Sequence, residues 1–334
     1  MNTLKDVAKL AGVSTATVSH VINGTRFVSD SLQDKVKSAM KELDYQPNMM
    51  ARALKVGFQK TIGVIVPDCT NPFFSEIARA LDRYCFSKGY NIILCNTDNN
   101  IEQQSSYTKM LISKHIEGVI IISSDNTDDD LSKFLKNSIP VVIADRIGKH
   151  NNVDSVIVDN EKGGYEATKY LINQGFTKIG CISGPSFISS SSQRVVGYKK
   201  ALEEAGILVR EDYISIGDFH FAGGIAAADK FFSLSDRPEA VFATNDLMAL
   251  GFINASRNKG FEIPNDISVV GYDNIELSKF MTPKLTTVSQ PLEQLAQIAT
   301  DLLLDKITNQ TVGAQLIKLD PQLIERESCV VKNK

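Results

Sequence analysis

From Lys60 onward, short unbroken runs rich in Val and Ile recur between stretches of helical periodicity, and this alternation restricts the chain to a narrow set of folds. The runs are TIGVIVPD, YNIILCNT, GVIIIS, PVVIAD, VDSVIVDN, KIGCISG, YISIGD, AVFATND and SVVGYDN. Helices are expected from about Phe74 to Lys88 and near 101–114, 129–137 and 162–174. A strand that is apolar at every position has no solvent face, so both sides of its sheet must be covered. Helices between successive strands supply that cover and return the chain for parallel pairing. The expected fold class is α/β with doubly wound parallel sheets, whose ligands sit at the carboxyl ends of strands.

The first 46 residues follow a different pattern. Leu4, Val7, Ala8 and Ala11 recur at helical spacing, with Thr3 and Asp6 placed for an approximate capping box and Gly12 to break the helix. Ser14 suits the N-cap of a second helix whose Val18, Val21 and Ile22 form an inward stripe. Thr15, Ala16, Thr17, Ser19 and His20 are left outside. Leu32, Val36, Met40 and Leu43, after a Ser29 cap, close a small core. Short polar groups near a helix N-terminus approach base edges closely, so the segment reads as a helix-turn-helix for the major groove. The plain alternative is an amphipathic three-helix cap on an enzyme, against which the hydroxyl-rich outer face argues.

Charge divides along the same line. Residues 1–60 hold nine Lys/Arg against five acids, a net of +4, in a chain of net −3, so phosphate contact is expected at the N-terminus alone. At 334 residues and 43% hydrophobic composition the chain exceeds one ordinary domain and supports a large core. No basic-then-apolar leader and no run of eighteen apolar residues is present, so a cytoplasmic location without membrane contact is expected. Five scattered cysteines without a CxxC pair read as reduced and mostly buried, with no metal site.

Pro47 ends the third helix, and Asn48 can cap a fourth over Met49–Gly57. About eight residues are too few for a helix stable alone in water, so this hinge is expected to order on a partner. The alternative is a linker packed on the next domain. The strand ends carry Asp68, Asn71-Pro72-Phe73-Phe74, Ser123-Ser124, Asp145-Arg146, Asp159-Asn160, Ser183-Gly184-Pro185, Asn245-Asp246 and Asp273-Asn274. Carboxylates, amides, a guanidinium and rings together suit a small polyhydroxylated molecule, although each residue alone is as readily a cap or turn former.

DVAKLAGVSTATVSHVIN, NMMARALKV, TNPFF, ATNDLMALG, ISVVGYDN and LTTVSQP resemble the lactose/galactose repressor family of bacterial transcription regulators over essentially the whole chain. TVSHVIN and ARALK resemble its ribose and purine branches equally. The resemblance implies a homodimer of small all-α heads on periplasmic-binding-protein-like bodies, reading a pseudo-palindromic operator. It implies a head at 1–46, a hinge at 47–59 and a body at 60–334. The body would divide into an N-subdomain (about 60–161 and 292–322) and a C-subdomain (about 162–291 and 323–334). Thr15, Ala16, Thr17, His20, Arg26 and Asn48 would contact DNA. Leu54 would enter the minor groove as an apolar wedge beside Lys55, its cost of unstacking repaid by added contacts.

Periplasmic ribose-binding proteins share this body fold, and their pocket resembles the chain at Asn71, Phe73, Phe74, Asp145, Arg146, Arg194, Phe219, Asn245, Asp273 and Gln290. The six residues Asp145, Arg146, Arg194, Asn245, Asp273 and Gln290 could saturate a pentose while the three rings clamp it. Purine-binding relatives keep residues like Arg194, Phe219 and Asp273 but lack the Asn245 amide and typically show tryptophan at Arg146, as do some ribose repressors. D-ribose, releasing the operator, is the expected effector, without any cofactor. The alternatives are a purine nucleobase acting as co-repressor and a phosphocarrier protein, since TNPFF and NIILCNTD also resemble a catabolite-regulator branch. Only four histidines and no GxSxG, GxxxxGK[ST], HExxH or GxGxxG motif leave an Asp145–Asp273 acid–base pair as the one enzymatic option, so no enzyme is expected.

Overall fold

A computed structural model describes residues 2–23, 26–45, 60–122, 128–145, 153–309 and 313–332. The chain forms two compact units, Met1–Gln59 and Lys60–Lys334.

In the first unit, α1 (Leu4–Ala11), α2 (Thr15–Asn23) and α3 (Asp30–Glu42) enclose Val7, Ala8, Val18, Val36 and Ala39. The Asp6 carboxylate accepts both the Thr3 N–H and the Thr3 hydroxyl at 2.7 Å, which holds it below the usual carboxylate range. Gly12 ends α1 at φ 66, a left-handed conformation in which any Cβ is strained. Ser14 Oγ accepts the Thr17 N–H at 3.0 Å and so caps α2. Ser29 occupies the corresponding position before α3 but makes no side-chain cap bond, and Ala39 replaces Met40 as the buried residue of that helix.

The second unit carries two six-stranded sheets. The first runs β11-β5-β4-β3-β1-β2, from β1 (Thr61–Val66), β2 (Asn91–Asn96), β3 (Gly118–Ile122), β4 (Val141–Asp145), β5 (Asp154–Val158) and β11 (Leu316–Leu319). The second runs β12-β10-β9-β8-β6-β7, from β6 (Ile179–Ser183), β7 (Ile214–Ile216), β8 (Ala240–Ala243), β9 (Ser268–Asp273), β10 (Thr286–Ser289) and β12 (Gln322–Ile324). Every pairing is parallel except β10 with β12. Parallel order needs crossovers, and α4 (Pro72–Ser87), α5 (Ile101–Ser113), α6 (Asp128–Lys136), α7 (Asn160–Asn173), α8 (Ser189–Glu204), α9 (Phe221–Ser233), α10 (Asp246–Asn258) and α11 (Leu292–Asn309) flank the strands.

The strands β3, β4, β5 and β6 are buried at every position, as unbroken Val/Ile runs require. The chain passes between the sheets three times: after β5, after β10, and between β11 and β12. Leu295, Ala299 and Leu303 of α11 therefore return to the core that Ile77 and Leu81 of α4 share with β1, β3 and β4. These passages bring the carboxyl ends of both sheets to one cavity.

Candidate effector cavity and nucleic-acid interface

In the head, Thr15 and Ala16 stand exposed at the start of α2, and Arg26 is exposed beyond its end. Thr17 is half-buried, its hydroxyl 2.9 Å from that of Ser14, so part of its polar capacity serves the helix start. His20 is also half-buried. Asn48, Leu54 and Lys55 lie outside the described residues, as does the hinge expected around them.

In the body, Asn71, Phe73, Phe74, Asp145, Ser190, Arg194, Phe219, Asn245 and Asp273 line one cavity. Asn71 caps α4 by accepting the Phe73 N–H at 3.1 Å, which places Phe73 and Phe74 in the first turn with their rings edge to face, 5.1 Å apart. Asp145 ends β4 at φ 74, Phe219 lies at φ 66 and Asp273 ends β9 at φ 111. Three non-glycine residues in left-handed backbone around one cavity mark a place where surrounding structure holds strain for positioning.

Arg194 organises the polar wall. It is 4% exposed, its guanidinium stacks 3.7 Å over the Tyr272 ring, Nε donates to Asn160 Oδ1 at 2.8 Å, and Nη1 donates to the Thr244 carbonyl at 2.6 Å. Nη1 also lies 3.5 Å from Asp273 Oδ1. Gln290 Nε2 donates to that same oxygen at 2.7 Å, so Gln290 braces Asp273; it is not among the residues lining the cavity. Burial pushes the Asp273 carboxyl up to about 7 despite Arg194 and Gln290, with the charges of Asp145 and Glu76 adding to the rise.

Asn245 is likewise less free than expected. Its Oδ1 accepts the Met248 N–H at 3.0 Å, capping α10, and its Nδ2 donates to the Phe219 carbonyl at 2.8 Å. Arg194, Asp273, Asn71 and Ser190 line the cavity beside it. Groups able to donate and accept thus stand beside three rings, a combination suited to a small polar molecule with apolar faces. Arg146 lies outside the described residues.

Several other strand-end residues serve the fold. Asp159 caps α7 and pairs with Lys318 at 2.6 Å; Asp246, wholly buried, accepts from Thr287 Oγ1 at 2.6 Å and Ile275 N–H at 2.9 Å. Burial holds the Asp246 carboxyl well above its ordinary range. Asn274 engages Ser289 and Arg326. Ser123 and Ser124 lie outside the described residues. Asp68 is 3.7 Å from His220, and Glu76 accepts the Glu276 N–H at 2.7 Å, so both tie residues after one sheet's strands to residues after the other's. Ser190 escaped the sequence reading because it is one of four consecutive serines, and no periodicity singles it out.

No group of three or more metal-ligating side chains occurs among the described residues, and none of their helices is long and apolar enough to cross a membrane.

A three-helix head with an outward second helix, joined in one chain to a two-sheet body with a polar cavity, defines a class of ligand-responsive DNA-reading regulators. Residues 59–327 match the family of periplasmic binding proteins and sugar-binding domains of LacI-type proteins, and residues 3–48 match the bacterial regulatory proteins of the lacI family. The chain belongs to the LacI family of bacterial transcription regulators; it is a DNA-binding transcriptional repressor and not an enzyme. It is 43% identical over 331 residues to the HTH-type transcriptional repressor PurR of Photobacterium profundum, covering 98% of each chain. A lac repressor dimer bound to operator and an anti-inducer superposes with a TM-score of 0.87 at 30% identity, covering 98% of this chain and 99% of that one. A LacI-family regulator of Enterococcus faecium with bound ribose gives 0.74 at 30% identity, over 82% of this chain and 100% of its own.

Proposed function

We propose that this repressor is a cytoplasmic homodimer that binds a pseudo-palindromic operator and controls a sugar-utilisation operon, with a pentose, D-ribose foremost, as inducer. One observation carries the effector reading: six of the nine residues lining the cavity, Asn71, Asp145, Ser190, Arg194, Asn245 and Asp273, are polar or charged, and they stand around three phenylalanine rings. A pentose offers a hydroxyl on nearly every carbon and apolar C–H faces between them, which suits the polar groups of Asn71, Asp145, Ser190, Arg194 and Asp273 beside the rings. The ribose-bound Enterococcus faecium protein supports the same reading.

A purine co-repressor is the second reading, and the relatives speak for it over ribose. The PurR repressor matches the chain at 43% identity and over 98% of each length, a fuller likeness than that of the ribose-bound protein. The cavity chemistry and the relatives' names therefore point to different effectors. The division into a head at 1–46, a hinge at 47–59 and two lobes is part of this proposal. Thr15, Ala16, Thr17, His20 and Arg26 would supply DNA contacts, with Asn48, Leu54 and Lys55 completing them. Ligand closing the cleft would shift the balance between operator-bound and released forms by about 1–3 kcal/mol, the usual range for such coupling.

Calorimetric titration of the full chain with D-ribose, hypoxanthine and guanine tests the assignment. Saturable binding of ribose, lost in Arg194→Met and Asp273→Ala, supports the pentose; binding of either purine with no heat from ribose replaces it with the second reading.

A further inference from the structure

The Phe219 ring forms one wall of the cavity, and its backbone is fixed from three directions. Asn245 Nδ2 holds the Phe219 carbonyl at 2.8 Å, while Asp218 Oδ1 accepts the His220 N–H at 2.8 Å and the Gly223 N–H at 3.0 Å. Just before this turn, Gly217 N–H donates to the Ser183 carbonyl at 2.7 Å. An aromatic residue at φ 66 stays there only because these bonds over-determine it.

The ring itself lies against Gly184, the residue after β6. A Cβ placed on Gly184 would fall 2.3, 2.5 and 2.6 Å from Phe219 Cζ, Cε1 and Cε2, all closer than real carbons approach. No backbone atom is among these nearest contacts, so the far end of the ring is what must yield. The backbone behind it cannot follow. Met248, fully buried, and the rest of the neighbouring core pack against Phe219, so the ring must turn away from that core, into the cavity or toward its partly exposed side.

We propose that Gly184 is a specificity-determining positioning residue: its missing side chain lets the Phe219 ring lie flat against the end of β6, and the cavity's depth at that wall depends on it. Gly184 touches no ligand in this account and acts through Phe219. The inference deepens the reading of the cavity as the effector site and rests on it. A methyl at this position shrinks the cavity without breaking any hydrogen bond, so it separates ligand binding from folding. Glycine here reads in the sequence as an ordinary turn former, which is why Ser183-Gly184-Pro185 carried no specific assignment.

The test is Gly184→Ala in the full-length protein, followed by three measurements. A crystal structure of the unliganded variant is expected to show the Phe219 ring turned into the cavity; a ring in its original place overturns the proposal whichever ligand the protein takes. Calorimetry with D-ribose and with hypoxanthine is expected to show whichever ligand binds the parent weakened by about tenfold or more, with the thermal midpoint shifted by only a few degrees. Unchanged affinity also overturns it. In the double variant Gly184→Ala/Phe219→Leu, the smaller side chain makes room for the methyl, so its affinity matches that of Phe219→Leu alone. A double variant weaker than Phe219→Leu alone, with a large drop in midpoint, assigns Gly184 to folding instead. If neither ligand binds the parent protein, the effector assignment fails while the crystal structure still decides the role of Gly184.

Discussion

Asp273→Asn separates the buried carboxylate's contribution to stability from everything else in the cavity. In the folded protein the carboxyl is raised from 3.8 to about 7, chiefly by burial. Between these values the folded state keeps a proton that the unfolded chain has released, so ionisation is disfavoured by folding and stability falls as pH rises through the window. The shift of about three pH units, at about 1.4 kcal/mol each, places on the order of 4 kcal/mol against folding above pH 7. Below 3.8 both states are protonated and the contribution vanishes. Asparagine keeps the shape of the neutral acid and cannot ionise. The unfolding free energy of the variant relative to the parent should therefore rise by on the order of 1.4 kcal/mol per pH unit from pH 4 to 7, then level off. Asp246 is also buried, and the Asp273 charge adds to its rise, so the variant relieves Asp246 too and the difference moves in the same direction. Urea unfolding of both proteins at pH 5, 6, 7 and 8 at constant ionic strength measures the difference, and parallel profiles would refute the argument.

Three further outcomes follow from contacts described above. Val18→Ala empties part of the head's small core at a cost of about 2 kcal/mol, so operator affinity should fall while calorimetric effector binding is unchanged. Asn160→Ala removes the 2.8 Å acceptor of Arg194 Nε, and effector affinity should drop by about tenfold, with little change in operator affinity in the absence of effector. Asp246→Ala strands the Thr287 hydroxyl and the Ile275 N–H in the core, which should lower the unfolding free energy by about 2–4 kcal/mol in urea.

Much of the fold was legible because its signals are local. The unbroken Val/Ile runs announce two-sided burial, and β3, β4, β5 and β6 show it at every position. The capping pair Thr3 and Asp6, the break at Gly12 and the Ser14 cap also depend on residues within a turn of one another. The cavity was legible in part, since strand ends in parallel sheets converge, and eight of the ten expected effector residues line it together. What stayed hidden depends on contacts made across long sequence separations. Nothing near Gln290 in the chain says that it braces Asp273, and nothing near Asn245 says that its amide is already engaged by Phe219 and Met248. Asn160 and Tyr272 support Arg194 from 34 and 78 positions away, so their role emerges only once two helices and one strand are assembled. Ser190 has three serine neighbours, and only the rotation of α8 selects it. Overall likeness follows the purine repressors, while the residues lining the cavity are the basis of the pentose proposal.

The central claim is that a pentose in this cavity releases the repressor from its operator. It is tested most directly by measuring operator-DNA affinity of the full-length protein at fixed salt while titrating D-ribose and hypoxanthine separately. The account predicts affinity that falls on addition of ribose, by about 5- to 150-fold at saturation, and is indifferent to hypoxanthine. Affinity that rises with hypoxanthine and ignores ribose contradicts it and makes the protein a purine-responsive co-repressed regulator.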